Sequence, residues 1–214
     1  MKTAYKNNYT NLTTWLSNSH TVAMKQADSI TASRIVLAPL FFILFSWGIP
    51  LGLPRILVVI VLWVLFIVME ISDLIDGAVA RKTNQVSNFG KLFDPFADVL
   101  ARLGYFICFM SAGLMPHWVF FIILFREYSM LFMRLLLVQK GIAMGARKGG
   151  KLKSFTYALA GGVSLFIWSL GMLSLDTGIN NVFVIGNFVL YCIAALLALG
   201  SFIDYFKEFR KVNK

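Results

Sequence analysis

Apolar residues fall into six long runs separated by short polar or basic segments. They extend from about Ile30 to Trp47, Arg55 to Ser72, Phe89 to Ala112, His117 to Lys140, Phe155 to Leu175 and Val182 to Tyr205. A helix that crosses a bilayer needs about 20 mainly apolar residues, so the pattern predicts an all-α fold, a polytopic membrane bundle of six transmembrane helices. Ahead of the first run, Trp15, Leu16, Val22 and Met24 are spaced among polar residues and Lys2, Lys6 and Lys25. That mixture predicts an N-terminal interfacial helix lying on the membrane surface. The expected division is an N-terminal cytoplasmic or interfacial segment (1–29), a six-helix domain (30–206) and a basic cytoplasmic tail (207–214).

Polar residues inside these runs carry the chemistry. Of the ten acidic residues in the chain, Asp73, Asp76, Asp94 and Asp98 all fall in the stretch DLIDGAVARKTNQVSNFGKLFDPFAD. Carboxylates at the edge of apolar helices are expensive unless a counter-charge meets them. Asp73, Asp76, Gly77, Ala80 and Arg81 step by three and four and share one helical face. Gly90, Asp94 and Asp98 step by four on a second helix, with Lys82 to Asn88 as the joining turn. Two carboxylate pairs are thus expected to face each other, an all-oxygen donor set that suits two Mg²⁺ or Mn²⁺ ions. The small residues leave room for a bulky ligand, and Arg81 offers a planar cation to phosphate oxygens.

This stretch resembles, at every position, the D-x2-D-G-x2-A-R-x8-G-x3-D-x3-D signature of the CDP-alcohol phosphotransferases. The resemblance implies a membrane enzyme that moves a substituted phosphate from a CDP-linked donor to an alcohol and releases CMP. It implies metal ligation by Asp73, Asp76, Asp94 and Asp98, with Asp98 as general base, and nucleotide binding by Asp73, Gly77, Ala80, Arg81 and Gly90. Thr31, Arg34 and Pro39 are similar to a run near the start of the bacterial phosphatidylglycerophosphate synthases within that family. Arg34 is read either as an interfacial anchor or as lining the cavity.

Charges in the later runs extend the likeness. Arg126, Glu127 and Arg134 interrupt the fourth run with a spacing that again resembles those synthases. Being adjacent on a helix, Arg126 and Glu127 are expected to point apart and not to neutralise each other. The loop GIAMGARKGGKLKS resembles a GKxKTxxQ element, with Ser154 in place of Thr and Tyr157 in place of Gln. Its glycines are expected to free backbone N–H groups, and Ser154 to open the next helix. Arg126, Arg134, Lys151, Lys153 and Ser154 form the expected acceptor site. Arg102, one turn beyond Asp98, is expected to face the bundle interior, and Glu70 to sit close to the motif face or at the interface.

Composition is consistent with this picture. The chain is 58% hydrophobic with 14% charged residues and a mean hydropathy of +0.75, outside the range of soluble domains. Its net charge of +10 comes from Lys and Arg clustered in loops, which favours anionic lipid headgroups as the partner over nucleic acid. No apolar h-region of a cleavable signal peptide is evident in the first 28 residues. Cys108 and Cys192 lie in apolar runs and are expected to be packing residues. The loops at 48–55, 111–117 and 176–181 hold one Lys or Arg, Arg55, whereas the others are basic. Both termini and the motif are therefore expected on the cytoplasmic side of the inner membrane. The expected donor is CDP-diacylglycerol and the preferred acceptor sn-glycerol 3-phosphate. The alternatives are another acceptor (inositol phosphate, serine), a CDP-choline or CDP-ethanolamine donor and, from a different class, a divalent-cation transporter. A homodimer is implied by the resemblance alone.

Overall fold

A computed structural model describes the backbone of residues 26–83, 90–139, 148–175 and 180–212, and the side chains of 31–72, 93–139, 150, 152–175 and 181–211. Among the described residues there are six α-helices and no strand: α1 (Gln26–Trp47), α2 (Arg55–Thr83), α3 (Gly90–Ser111), α4 (His117–Gln139), α5 (Lys148–Met172) and α6 (Asn180–Val212). Three hold stretches long and apolar enough to cross a membrane, at Arg55–Ser72, Leu152–Met172 and Asn181–Lys211, while Thr31–Trp47 in α1 is apolar but shorter. In α3 and α4 the apolar sequence is interrupted by Asp94, Asp98 and Arg102, and by Arg126, Glu127 and Arg134. The expected interfacial helix falls almost entirely outside the described residues.

Two boundaries differ from expectation. α2 runs through the first half of the acidic motif, as the helical spacing there predicts, but ends only at Thr83, so Lys82, expected in the joining turn, belongs to the helix. Ala78, Ala80, Arg81 and Lys82 favour the helix, and no Gly or Pro follows Gly77 to end it. Likewise α5 begins at Lys148, placing Ser154 in its second turn. Ser154 therefore does not open the helix, and the backbone N–H groups near it are inside the helical ladder. Lys148, Lys151, Leu152 and Lys153 outweigh Gly149 and Gly150 in propensity.

The helices close into a ring in which α1 packs on α2, α2 on α5, α5 on α6, α6 on α4, α4 on α3 and α3 on α1, with a further contact between α3 and α5. Tyr105, Phe106 and Phe109 of α3 fill the middle. They meet Phe41 of α1, Phe66 of α2, Tyr157 of α5 and Tyr191 of α6, mostly edge-on at centroid distances of 5.3–6.4 Å, an arrangement aromatic quadrupoles favour. The outer surface is apolar too, with Ile60, Phe121, Phe132, Ile185 and Leu196 all more than half exposed. A continuous apolar exterior around an apolar core is expected of a protein surrounded by lipid.

Three of the helix connections lie at one end, and two of them are described as tight turns. Gly52 and Gly113 take φ of +84° and +74° in the turns after α1 and α3, where a side chain would be strained. Arg55, at the start of α2, donates to the carbonyl of Met172 at the end of α5 at 3.4 Å. Asn187 of α6 donates to the carbonyl of Leu114, in the turn before α4, at 3.0 Å. Cys108 and Cys192 are unpaired thiols, Cys108 buried.

Candidate functional site

At the other end of the bundle every helix contributes a polar side chain. Asp73, Asp76, Gly77, Ala80 and Arg81 lie in the last three turns of α2, where steps of three and four put them on one face, and Gly90 is the first residue of α3. The placement of their side chains, and of that of Lys151, lies outside the described residues, as does segment 84–89.

The other half of the acidic motif is described in full. Asp94 and Asp98 sit one turn apart on α3, each half-buried. Thr31 of α1, itself fully buried, donates its hydroxyl to Asp94 Oδ1 at 2.9 Å. Arg34, one turn along α1, is 1% exposed, so it is an interior residue and not an interfacial anchor. Arg102, buried as expected, brings Nη1 to 3.1 Å from Asp98 Oδ2 and donates from the same nitrogen to Ser154 Oγ of α5 at 3.0 Å. Its Nη2 lies 4.0 Å from Glu70 Oε2 of α2, and Tyr105 donates its hydroxyl to Glu70 Oε1 at 3.0 Å.

A second cluster adjoins the first through the neighbours Lys153 and Ser154. Glu127 of α4 accepts from Arg126 Nη1 at 2.6 Å with one carboxylate oxygen and from Lys153 Nζ with the other. Arg126 also donates to Ser201 Oγ of α6 at 3.1 Å. The expectation that Arg126 and Glu127 point apart is corrected here. Their Cβ atoms diverge, but a guanidinium on a three-carbon stem reaches back far enough, and burial of both groups makes the pairing strongly favourable over isolation. The Lys153 ammonium also lies 4.6 Å from the centre of the Tyr157 ring, a cation–π contact. Tyr157, which departs from the GKxKTxxQ pattern, thus forms the floor beneath Lys153. Arg134, two turns beyond Glu127, is half-buried and has no ion-pair partner among the described residues.

The geometry joins an acidic face to a basic one. Asp98 and Ser154 meet on a single guanidinium nitrogen, so the carboxylates of α3 and the first turns of α5 line one locus. Such a locus fits a phosphate-bearing substrate pair: carboxylates to bind cations or take a proton, and Lys and Arg to hold an anion. Residues 24–199 match the family model described as CDP-alcohol phosphatidyltransferase, a span that includes both clusters except Ser201. The chain belongs to that family. The CDP-diacylglycerol–glycerol-3-phosphate 3-phosphatidyltransferase of Treponema pallidum is 35% identical over 199 residues, covering 89% of this chain and 92% of the relative. Proteins of the same name from Bacillus subtilis (36% over 139 residues, 62% and 72%) and Rickettsia typhi (33% over 178 residues, 83% and 93%) are also similar. As a CDP-alcohol phosphatidyltransferase the chain is a membrane transferase of phospholipid synthesis.

Sequence reasoning missed part of this constellation. Glu127, Arg102 and Glu70 stood out as charges within apolar runs, yet their roles as hubs depend on which helices neighbour each other. Tyr105 carries no signal at all, being one aromatic among many in α3.

Proposed function

We propose that this transferase moves the phosphatidyl group of CDP-diacylglycerol to the hydroxyl of sn-glycerol 3-phosphate, giving phosphatidylglycerophosphate and CMP. Relatives named for that activity extend over nearly the whole chain. The observation that supports the reading on this fold is the meeting of Asp98 with Ser154 on Arg102, an arrangement that would suit a base set beside an anion-binding element. Six transmembrane helices would place the apolar turns outside and the site at the cytoplasmic face, where CDP-diacylglycerol can present its headgroup while its acyl chains stay in the bilayer. A homodimer accords with the resemblance.

The described half of the acidic motif fits a metal site: two half-buried carboxylates one turn apart, supplying hard oxygen donors without sealing them from solvent. Asp73, Asp76, Asp94 and Asp98 would hold two divalent ions, Mg²⁺ or Mn²⁺, which supply charge neutralisation at the pyrophosphate and the leaving CMP. Gly77, Ala80 and Gly90 leave the helix faces bare for the cytidine nucleotide, and Arg81 binds a phosphate oxygen. Arg126, Arg134, Lys151, Lys153 and Ser154 orient the acceptor phosphate. Asp98 takes the proton from the acceptor hydroxyl as the oxygen attacks the β-phosphorus, the one attached to diacylglycerol, and CMP departs as the phosphoanhydride bond breaks.

The test is CMP release by purified protein in mixed micelles with CDP-diacylglycerol, scanning glycerol 3-phosphate, inositol phosphate and serine with Mg²⁺ or Mn²⁺. Turnover is expected with glycerol 3-phosphate, lost in EDTA and in Asp73→Asn, Asp76→Asn and Asp94→Asn. Release supported by serine or inositol phosphate and not by glycerol 3-phosphate would overturn the acceptor, and full turnover in chelator the metal.

A further inference from the structure

The geometry points to Arg102 as a positioning residue for the reaction, holding Asp98 in place and setting its distance from the acceptor element on α5. The inference rests on the transfer reaction proposed above and assigns a part to three residues outside its signature: Arg102, Glu70 and Tyr105.

Arg102 is 5% exposed and its guanidinium spans three helices. One nitrogen serves Asp98 of α3 at 3.1 Å and Ser154 of α5 at 3.0 Å; the other faces Glu70 of α2 at 4.0 Å. A guanidinium is planar and its donors diverge at fixed angles, so anchoring one side fixes the direction of the other. Glu70 provides that anchor. Its carboxylate is held in turn by the hydroxyl of Tyr105, whose ring is wedged against Phe66, Phe106 and Phe109 in the centre of the bundle. Rigidity therefore passes from the aromatic core through Tyr105 and Glu70 to Arg102, and from there to Asp98.

The arrangement has a chemical consequence. A carboxylate that takes a proton from a bound hydroxyl must lie within about 0.5 Å of its productive place, and burial alone does not fix Asp98, which is only half-buried. Arg102 holds one oxygen, Oδ2, at 3.1 Å and so restricts the rotation of the carboxylate. Ser154 on the same nitrogen ties α5, with Lys153 beside it, to the same reference point. Arg102 is assigned no direct contact with either substrate. It acts through Asp98 and Ser154, and Glu70 and Tyr105 act through it.

The experiment is steady-state kinetics of the full-length protein in mixed micelles, with CDP affinity measured by calorimetry and folding by thermal unfolding in detergent. Arg102→Gln is expected to lower kcat at least tenfold while CDP affinity and the KM for CDP-diacylglycerol stay within threefold of wild type. Arg102→Lys, which restores charge without the planar fork, should recover only part of the loss. Glu70→Gln and Tyr105→Phe should each lower kcat about three- to tenfold on their own and add less than twofold to Arg102→Gln, because their effect passes through the arginine. Unchanged kcat in Arg102→Gln with an active wild type would overturn the positioning role and leave the reaction standing. So would full multiplication of the Glu70 and Arg102 effects, which would make them independent. If Arg102→Gln does not fold, Tyr105→Phe and Glu70→Gln decide, and wild-type kcat in both overturns the proposal. A wild type that releases no CMP overturns the reaction and this inference with it.

Discussion

Glu127 shows what a single buried charge does here. It is 7% exposed and satisfies two cations, Arg126 and Lys153, from two helices. Removing one partner of a buried ion pair costs about 3–5 kcal/mol, because the charge left behind cannot be rehydrated. Glu127→Gln leaves two cations with a neutral amide, so unfolding in detergent should fall by roughly 6–20 °C for a chain of this size. Glu127→Gln/Lys153→Met should recover much of that stability while remaining inactive. A single mutant that melts like wild type would mean the pair lies open to water. Arg134 makes a complementary prediction. It is half-buried without an ion-pair partner among the described residues, on the same helix as the Glu127 hub. If it holds the acceptor phosphate, Arg134→Ala removes a charge-assisted hydrogen bond contributing about 1.5–3 kcal/mol. The KM for glycerol 3-phosphate should then rise roughly ten- to hundredfold, with that for CDP-diacylglycerol nearly unchanged. Lys153→Ala is a less clean test, since it also strips Glu127 of a partner.

At the scale of helices, the sequence was legible where spacing alone decides. All six apolar runs are helices, and steps of three and four suffice to place Asp73 with Asp76 and Asp94 with Asp98 on shared faces. Helix ends were less legible. Residues 148–154 are mostly polar and Gly-rich, and hydrophobic runs cannot reveal a helix that begins among them. Least legible were the partners of charged side chains: that Arg102 reaches Ser154, 52 residues away, depends on α5 packing on α3. Gly161 of α5 shows how tight that packing is. A Cβ there would lie 3.0 Å from Phe66 of α2 and 3.1 Å from Tyr105 of α3. Gly161→Leu overfills this junction at a cost of about 1–3 kcal/mol. It should lower the unfolding temperature by roughly 2–12 °C, and activity with it, because Tyr105 carries the anchor of Glu70. Gly171→Leu, where no atom lies within 4 Å of the added Cβ, should change neither. Equal effects at the two positions would refute the packing argument.

For the whole molecule the distribution of charge yields a prediction of orientation. The three turns at one end carry Arg55 as their one Lys or Arg, while Arg81, Lys82, Lys91, Lys148, Lys151, Lys207, Arg210 and Lys211 belong to segments at the other. Positive residues near helix ends tend to be retained on the cytoplasmic side, so the site is expected to face the compartment that holds nucleotides. Arg55 and Asn187, by tying α2 to α5 and α6 to the α3–α4 turn, make the three turns one unit that must share a side. Single cysteines test this in a background of Cys108→Ala and Cys192→Ala. Leu51, Leu175 and Lys211 are all well exposed, Leu51 at 73%, so a thiol at any of them can be reached. Leu51→Cys and Leu175→Cys should react with a membrane-impermeant maleimide in right-side-out vesicles, and Lys211→Cys only in inside-out ones. Reaction of Leu51→Cys and Lys211→Cys from the same side would require an odd number of crossings between them to be wrong, and with it a six-span bundle. Reaction of Leu51→Cys and Leu175→Cys from opposite sides would break the unit that Arg55 and Met172 form. The reverse of the expected pattern, with both turns inside, would keep the bundle but turn the site away from its nucleotide, and the transfer reaction could not then draw on cytoplasmic substrate.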